Sequence, residues 1–172
     1  MSDKTRLFMD GQPDHCAALG RLVIHWAHFE RKLIHIFELL FMTNIYKAVL
    51  IYDEFNSVNA KINLMLRLNH RFTRNKVLKT DVENHLSQAL KLNTKRNAFV
   101  HAIWSTDNTG KNVVRRKMIT PRDYKKDDTP FIVFTVQDIQ DVVEEIAKIS
   151  RSFDFLIAQI HEDQKAQPSI WF

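Results

Sequence analysis

Apolar residues recur along this chain at spacings of three and four, with polar residues filling the gaps. Leu19, Leu22, Val23, Trp26, Leu33, Phe37, Leu40 and Phe41 trace the first such stripe. That period is the mark of a helix with one buried face, and it predicts a first helix from just after Asp14 to about residue 42. Ile45, Val49 and Leu50 predict a turn and a short helix over 43–53. Val58, Ile62, Met65, Leu66 and Phe72 then predict a second main helix over about 55–72. The run Thr80-Asp81-Val82-Glu83 has the form of a capping box, in which a hydroxyl and a carboxylate satisfy exposed backbone N–H groups reciprocally. It predicts the start of a third main helix, with Leu86, Leu90, Val100 and Trp104 towards the core. A second capping sequence, Thr135-Val136-Gln137-Asp138, opens a last helix to about residue 162, whose stripe is Ile139, Val142, Val143, Ile146, Ile149, Phe153, Leu156 and Ile160.

Between the last two helices the texture changes. Asp107-Asn108-Thr109-Gly110 is a turn signal, 112–120 is rich in β-branched and basic residues, 121–130 is a charged loop and 131–134 a short apolar strand. Residues 103–134 are therefore expected to form a small β-hairpin insertion before the last helix. Elsewhere the usual breakers are missing, with no glycine between Gly20 and Gly110 and no proline between Pro13 and Pro121. The expectation is one all-α domain over residues 1–172, a bundle of four to five helices whose core spans about 14–162 between short terminal segments.

Composition narrows the chemistry. The three glycines, Gly11, Gly20 and Gly110, lie far apart, which excludes the glycine-rich phosphate loops of nucleotide-binding folds. Cys16 is the single cysteine, so an internal disulfide or a thiolate metal cluster is excluded, and a reducing, cytoplasmic setting is expected. No apolar run approaches the ~20 residues needed to span a bilayer, and the first ten residues carry no signal-peptide core. No membrane partner is expected.

Charge is unevenly spread. The net charge is +5, but residues 61–126 hold 16 basic and 4 acidic side chains, a balance of +12, against −7 for the rest. A basic middle between acidic ends suits a polyanion, most often nucleic acid; the alternative is a solvated helix face. Arg67, Arg71, Arg74, Lys95, Arg115, Arg116 and Lys117 are the candidate RNA-binding residues.

Two features depart from a plain amphipathic bundle. Glu30 interrupts the first apolar stripe, four residues after Trp26 and three before Leu33. A carboxylate there is costly unless paired or hydrogen-bonded, or unless it reaches the rim of the bundle. Near the end of the third main helix, Lys95-Arg96-Asn97-Ala98-Phe99-Val100-His101-Ala102-Ile103-Trp104 gathers an arginine, an asparagine and a histidine within six residues. Asn97 and His101, four apart, share a helix face, and Arg96 lies about 100° from Asn97. These are the groups that cleaving RNA without a metal needs, though Arg, Asn and His are also common on helix surfaces. An imidazole moves protons to and from oxygen, a guanidinium holds the phosphate, and an amide orients either one. The histidines include no HExxH pattern and no His/Cys cluster, so no metal site and no cofactor are expected.

Arg96-Asn97-x-x-x-His101 resembles the R-x4-6-H signature of HEPN domains, including the polar residue that often follows the arginine. The surroundings are similar to a group of small HEPN-like proteins. A first helix carries an aromatic and then a glutamate (Trp26 to Leu33 around Glu30), and a second has an internal lysine (Lys61). The motif helix ends in a tryptophan (Trp104), and a Pro121-Arg122 step leads into a Thr-capped last helix. The resemblance covers about residues 14–162 in order of elements.

It implies a metal-independent endoribonuclease of toxin or defence type. The family works as homodimers, with the Arg and His of both chains lining one cleft. Arg96 and His101 take the catalytic roles, Asn97 supports them, and Glu30 is a partner for Arg96 or another buried donor. RNA is the implied substrate, and an antitoxin protein a possible partner. One departure stands out: toxins of the family paired with a nucleotidyltransferase often carry Tyr two residues after the His, where this chain has Ile103. The rival expectation is a catalytically inactive HEPN-like module that binds a partner, a nucleotide or RNA.

Overall fold

The computed structural model describes residues 11–106, 113–116 and 132–166. The class is all-α. Five helices follow in order, α1 (Pro13–Leu40), α2 (Ile45–Asp53), α3 (Val58–Phe72), α4 (Lys76–Val100) and α5 (Val136–Ala166), with three short strands between α4 and α5: β1 (Ile103–Thr106), β2 (Val113–Arg116) and β3 (Ile132–Val133). No single described helix is long and apolar enough to cross a membrane.

Local hydrogen bonds fix where the helices begin and end. Asn44 accepts from the Lys47 N–H at 3.1 Å to start α2, and Ser57 Oγ from the Ala60 N–H at 3.2 Å to start α3. At α5 the predicted box closes in both directions. The Asp138 N–H donates to Thr135 Oγ1 at 3.2 Å, and the Thr135 N–H donates to Asp138 Oδ2 at 2.7 Å. After α1, Met42 adopts φ 51°. Its N–H donates to Leu39 O at 3.1 Å and the Thr43 N–H to Glu38 O at 3.2 Å. This is a Schellman motif with methionine where glycine is usual.

The other predicted box does not open a helix. Helix α4 begins at Lys76, where Asn75 Oδ1 accepts from the N–H groups of Val77 (3.1 Å) and Leu78 (3.3 Å). Thr80 thus sits one turn inside the helix, and its hydroxyl donates back to Lys76 O at 3.1 Å. Buried Leu78 and Val82 carry the apolar stripe upstream of the box. Val23 (46% exposed), Phe41 (41%) and Phe72 (40%), all expected inward, lie at the edges of their stripes.

The chain divides into two compact units, one of Met1–His25 with Thr94–Glu144, the other of Trp26–Asn93 with Glu145–Phe172. In the first, Ala18, Leu22, Phe99, Ile139 and Val142 are buried. Phe99 stacks on Trp104 at 6.1 Å between ring centroids and meets Phe134 edge-on at 5.1 Å. The strands form an antiparallel sheet in the order β1-β2-β3, with Ile103 opposite Arg116, Trp104 opposite Arg115, and Val114 opposite Val133. Three strands, with β2 paired on both sides, replace the simple hairpin expected; the segments joining them lie outside the described residues.

The second unit is a helical bundle. Its centre is Trp26, Phe29, Phe37, Leu86, Ile146 and Phe153, all under 2% exposed. Phe153 meets Phe29 edge-on at 5.0 Å and the ring of His85 at 5.5 Å. On the rim, Lys32 Nζ donates to both carboxylate oxygens of Asp154 at 2.6 Å and to Ser150 O at 2.9 Å, clipping α1 to α5.

Candidate functional site

Arg96, Asn97 and His101 fall within the first unit, at the C-terminal end of α4. Helix α4 ends at Val100, so His101 stands on the turn that follows; its N–H still donates to Asn97 O at 3.1 Å. Two anchors hold this helix end. Phe99 is buried among aromatic rings, and Trp104 Nε1 donates to Phe99 O at 3.0 Å. Phe134 completes the cluster, and its carbonyl accepts from His15 Nε2 at 3.2 Å. With the apolar side of the turn fixed in this way, the polar side is a defined surface.

On that surface Arg96 and Asn97 are half-buried and His101 is exposed. Arg96 Nη1 donates to Asn97 Oδ1 at 2.8 Å. Helix geometry sets Arg96 and His101 about 140° apart, but the bond draws one end of the guanidinium towards Asn97, the residue one turn before His101. Lys95 is exposed beside them. The backbone register sets β2, with Arg115 and Arg116, beside the strand that leaves His101; Lys117 lies outside the described residues.

The remaining sequence-predicted residues fall in the second unit. Arg67, Arg71 and Arg74 are exposed along and just beyond the end of α3, and Glu30 is half-buried on α1. Glu30 has a neighbour there that the sequence did not suggest. Tyr52, only 2% exposed, has its hydroxyl pushed well above the ordinary phenol range, first by burial and then by the negative charges of Glu30 and Asp53. Lys61 Nζ lies 4.0 Å from the centre of the Tyr52 ring, a cation–π contact on the same side chain. Asn93, also buried, donates from Nδ2 to Asn59 Oδ1 at 3.0 Å. Glu30, Tyr52 and Lys61 come from three different helices, so no local spacing could have grouped them.

Among the described residues no three His, Cys, Asp or Glu side chains come together to hold a metal ion. His25 and His28, three apart on α1, are both exposed. No protein-family model, curated protein or solved structure is found to match this chain.

Proposed function

We propose that the chain is a HEPN-like endoribonuclease that cleaves RNA by attack of the substrate's own 2′-hydroxyl. The observation that carries this reading is the Arg96–Asn97 hydrogen bond beside exposed His101. Neutral His101 takes the 2′-OH proton, and O2′ bonds to phosphorus as the P–O5′ bond breaks. A protonated His101 supplies the leaving O5′ with its proton. Arg96 holds the non-bridging oxygens and stabilises their growing charge. The products are a 2′,3′-cyclic phosphate and a 5′-hydroxyl, and no metal enters the step.

One imidazole cannot be base and acid at the same instant, so two chains related by a two-fold axis would each supply one. A homodimer, with RNA as substrate and an antitoxin protein as partner, completes the proposal. Phe99 does not add to an apolar dimer surface, because it is buried in its own unit. Ile103, Phe131 and the tail Ile170-Trp171-Phe172 are the further apolar residues that a two-fold contact could use; Ile103 opens β1, and Phe131 and 170–172 lie outside the described residues.

The test is incubation of RNA with the protein in EDTA. Cleavage giving 2′,3′-cyclic ends, abolished by Arg96→Ala and by His101→Ala with helicity intact, is the expected result. Cleavage that requires Mg²⁺, or survives both substitutions, overturns it. Light scattering should give a 40 kDa species; a fully active 20 kDa species removes the composite cleft. The rival, a non-catalytic module, is favoured by the half-burial of Arg96 and its bond to Asn97, which a structural guanidinium also has. It predicts a folded protein that binds RNA or a partner and leaves the RNA whole.

A further inference from the structure

Where α1 and α5 end, in the second unit, they leave a groove of about 520 Å³ between them. Leu39, Met42 and Ile157 supply its apolar lining, and His35, Glu38 and His161 its polar lining. Met42 is exposed, and Leu39 and Ile157 are only half-buried. Apolar surface is thus left uncovered in a concavity whose size falls within the ~300–1,000 Å³ of pockets that seat whole ligands.

The polar groups do not mark the groove for a small polar ligand. The Glu38 carboxylate already faces His35 Nδ1 at 3.3 Å, and both imidazoles are exposed. Of the buried polar atoms without a partner among the described residues, none belongs to this groove. What it lacks is apolar cover, and the chain carries that cover close by. Gln164 is part of the groove wall, and its Nε2 donates to Leu39 O at 2.7 Å. The end of α5 is therefore fastened to the end of α1 just before α5 stops at Ala166. The next six residues, Gln167-Pro168-Ser169-Ile170-Trp171-Phe172, lie outside the described residues; by sequence they hold no charge and three consecutive large apolar side chains.

We propose that Ile170-Trp171-Phe172 folds back into this groove of its own chain. Pro168 has no N–H with which to continue α5 and disfavours helical backbone at Gln167, so the chain turns just past the groove. With 167–169 making the reversal, the next three residues return about 10 Å, against about 7.5 Å from Ala166 back to His161, midway along the α5 wall. Trp171 then comes within side-chain reach of Ile157. An indole suits this mixed lining, having a large apolar body and a single N–H donor. A second groove beside the same helix end, with Val77 and Leu78, fits less well. It also holds Asp81, Glu162 and Asp163, and covering carboxylates with an uncharged segment costs their hydration. Seated between α1 and α5, the trio is withdrawn from any two-fold contact, and it docks whether or not the chain cuts RNA.

The test follows Trp171 in the full chain. The difference in emission between the parent and Trp171→Phe separates its fluorescence from that of Trp26 and Trp104. That difference should be blue-shifted and shielded from acrylamide; the emission of a water-exposed indole overturns the inference. Shielding that disappears on dilution to nanomolar protein assigns the trio to a second copy and overturns it too. Urea unfolding then locates the contact. Trp171→Ala should raise the unfolding constant about tenfold, the low end for one large buried side chain. In an Ile157→Ala background the increase should drop to about threefold, and in a Val77→Ala background it should stay near about tenfold. Equal increases in all three backgrounds, or a drop with Val77→Ala in place of Ile157→Ala, overturn the assignment to this groove.

Discussion

Arg96 donates from Nη1 to the side-chain oxygen of Asn97, its immediate neighbour in the chain, at 2.8 Å. Neighbouring helix residues point about 100° apart, so the bond bends the longer side chain around the helix towards the face that leads to His101. Asn97→Ala removes this acceptor and with it one of the contacts that place the guanidinium. A hydrogen bond to a charged group contributes about 1.5 kcal/mol, which as lost positioning is roughly tenfold in rate. Under the proposed function, kcat of RNA cleavage should fall by about that factor for Asn97→Ala, against 10²–10⁴ typical for loss of an acid or base such as His101. Single-turnover cleavage assays separate the two. Equal losses would make Asn97 more than a positioning residue.

The start of α5 was legible from four residues because its signal is local. Thr135 and Asp138 need only each other and the intervening backbone. The same pattern at Thr80 failed because it lies inside a longer stripe. Asn75 outcompetes it as the cap, while buried Leu78 extends the helix upstream. The Arg96–Asn97 bond is local in the same way, joining neighbours on one helix. The neighbourhood of Glu30 is not, since Tyr52 and Lys61 reach it from other helices. Phe99 shows the same limit, since its partners Trp104 and Phe134 lie beyond its own helix and helical period does not reveal them.

The capping box makes α5 sensitive to acid. Thr135, through its backbone N–H and then its hydroxyl, holds the Asp138 carboxyl below the ordinary carboxylate range. A depressed folded-state pKa contributes stability above the unfolded value of about 3.9 and loses it as pH falls through the folded one. Thr135→Ala should cost about 1 kcal/mol at pH 7. Asp138→Asn should flatten the decline in stability below about pH 4. Urea unfolding at pH 7 and pH 3 measures both, and an unchanged acid limb in Asp138→Asn would rule out this carboxylate as its source.

Tyr52 governs the opposite limb. Its phenol is buried, near the Glu30 and Asp53 charges, and among the described residues its hydroxyl has no hydrogen-bond partner. The folded-state pKa is raised, so the neutral form contributes stability in full below the unfolded value of about 10 and loses it as pH rises beyond. Tyr52→Phe keeps the ring under Lys61 and removes the hydroxyl. It should be neutral or slightly stabilising at pH 7, by up to about 1 kcal/mol, and should reduce the fall in stability above pH 10. A loss of more than about 1 kcal/mol at pH 7 would mean that the hydroxyl is well satisfied in the folded protein.

The end of α1 offers a gain in stability. Met42 holds φ 51° so that the N–H groups of Met42 and Thr43 can reach back to Leu39 and Glu38. A side chain in the left-handed region costs about 1–2 kcal/mol, because Cβ crowds the following carbonyl oxygen. Glycine avoids that cost but has more freedom to lose on folding, about 0.5–1 kcal/mol. The Met42 side chain is 57% exposed, so little packing opposes the change. Met42→Gly should therefore stabilise the fold by roughly 0.5 kcal/mol. Met42→Ala keeps the strain while removing the same side-chain contacts, and should be neutral or slightly worse than the parent. Thermal unfolding of the three proteins orders them Gly, then Met, then Ala. A glycine variant no more stable than the alanine one would place the origin of the turn in side-chain packing instead of backbone geometry.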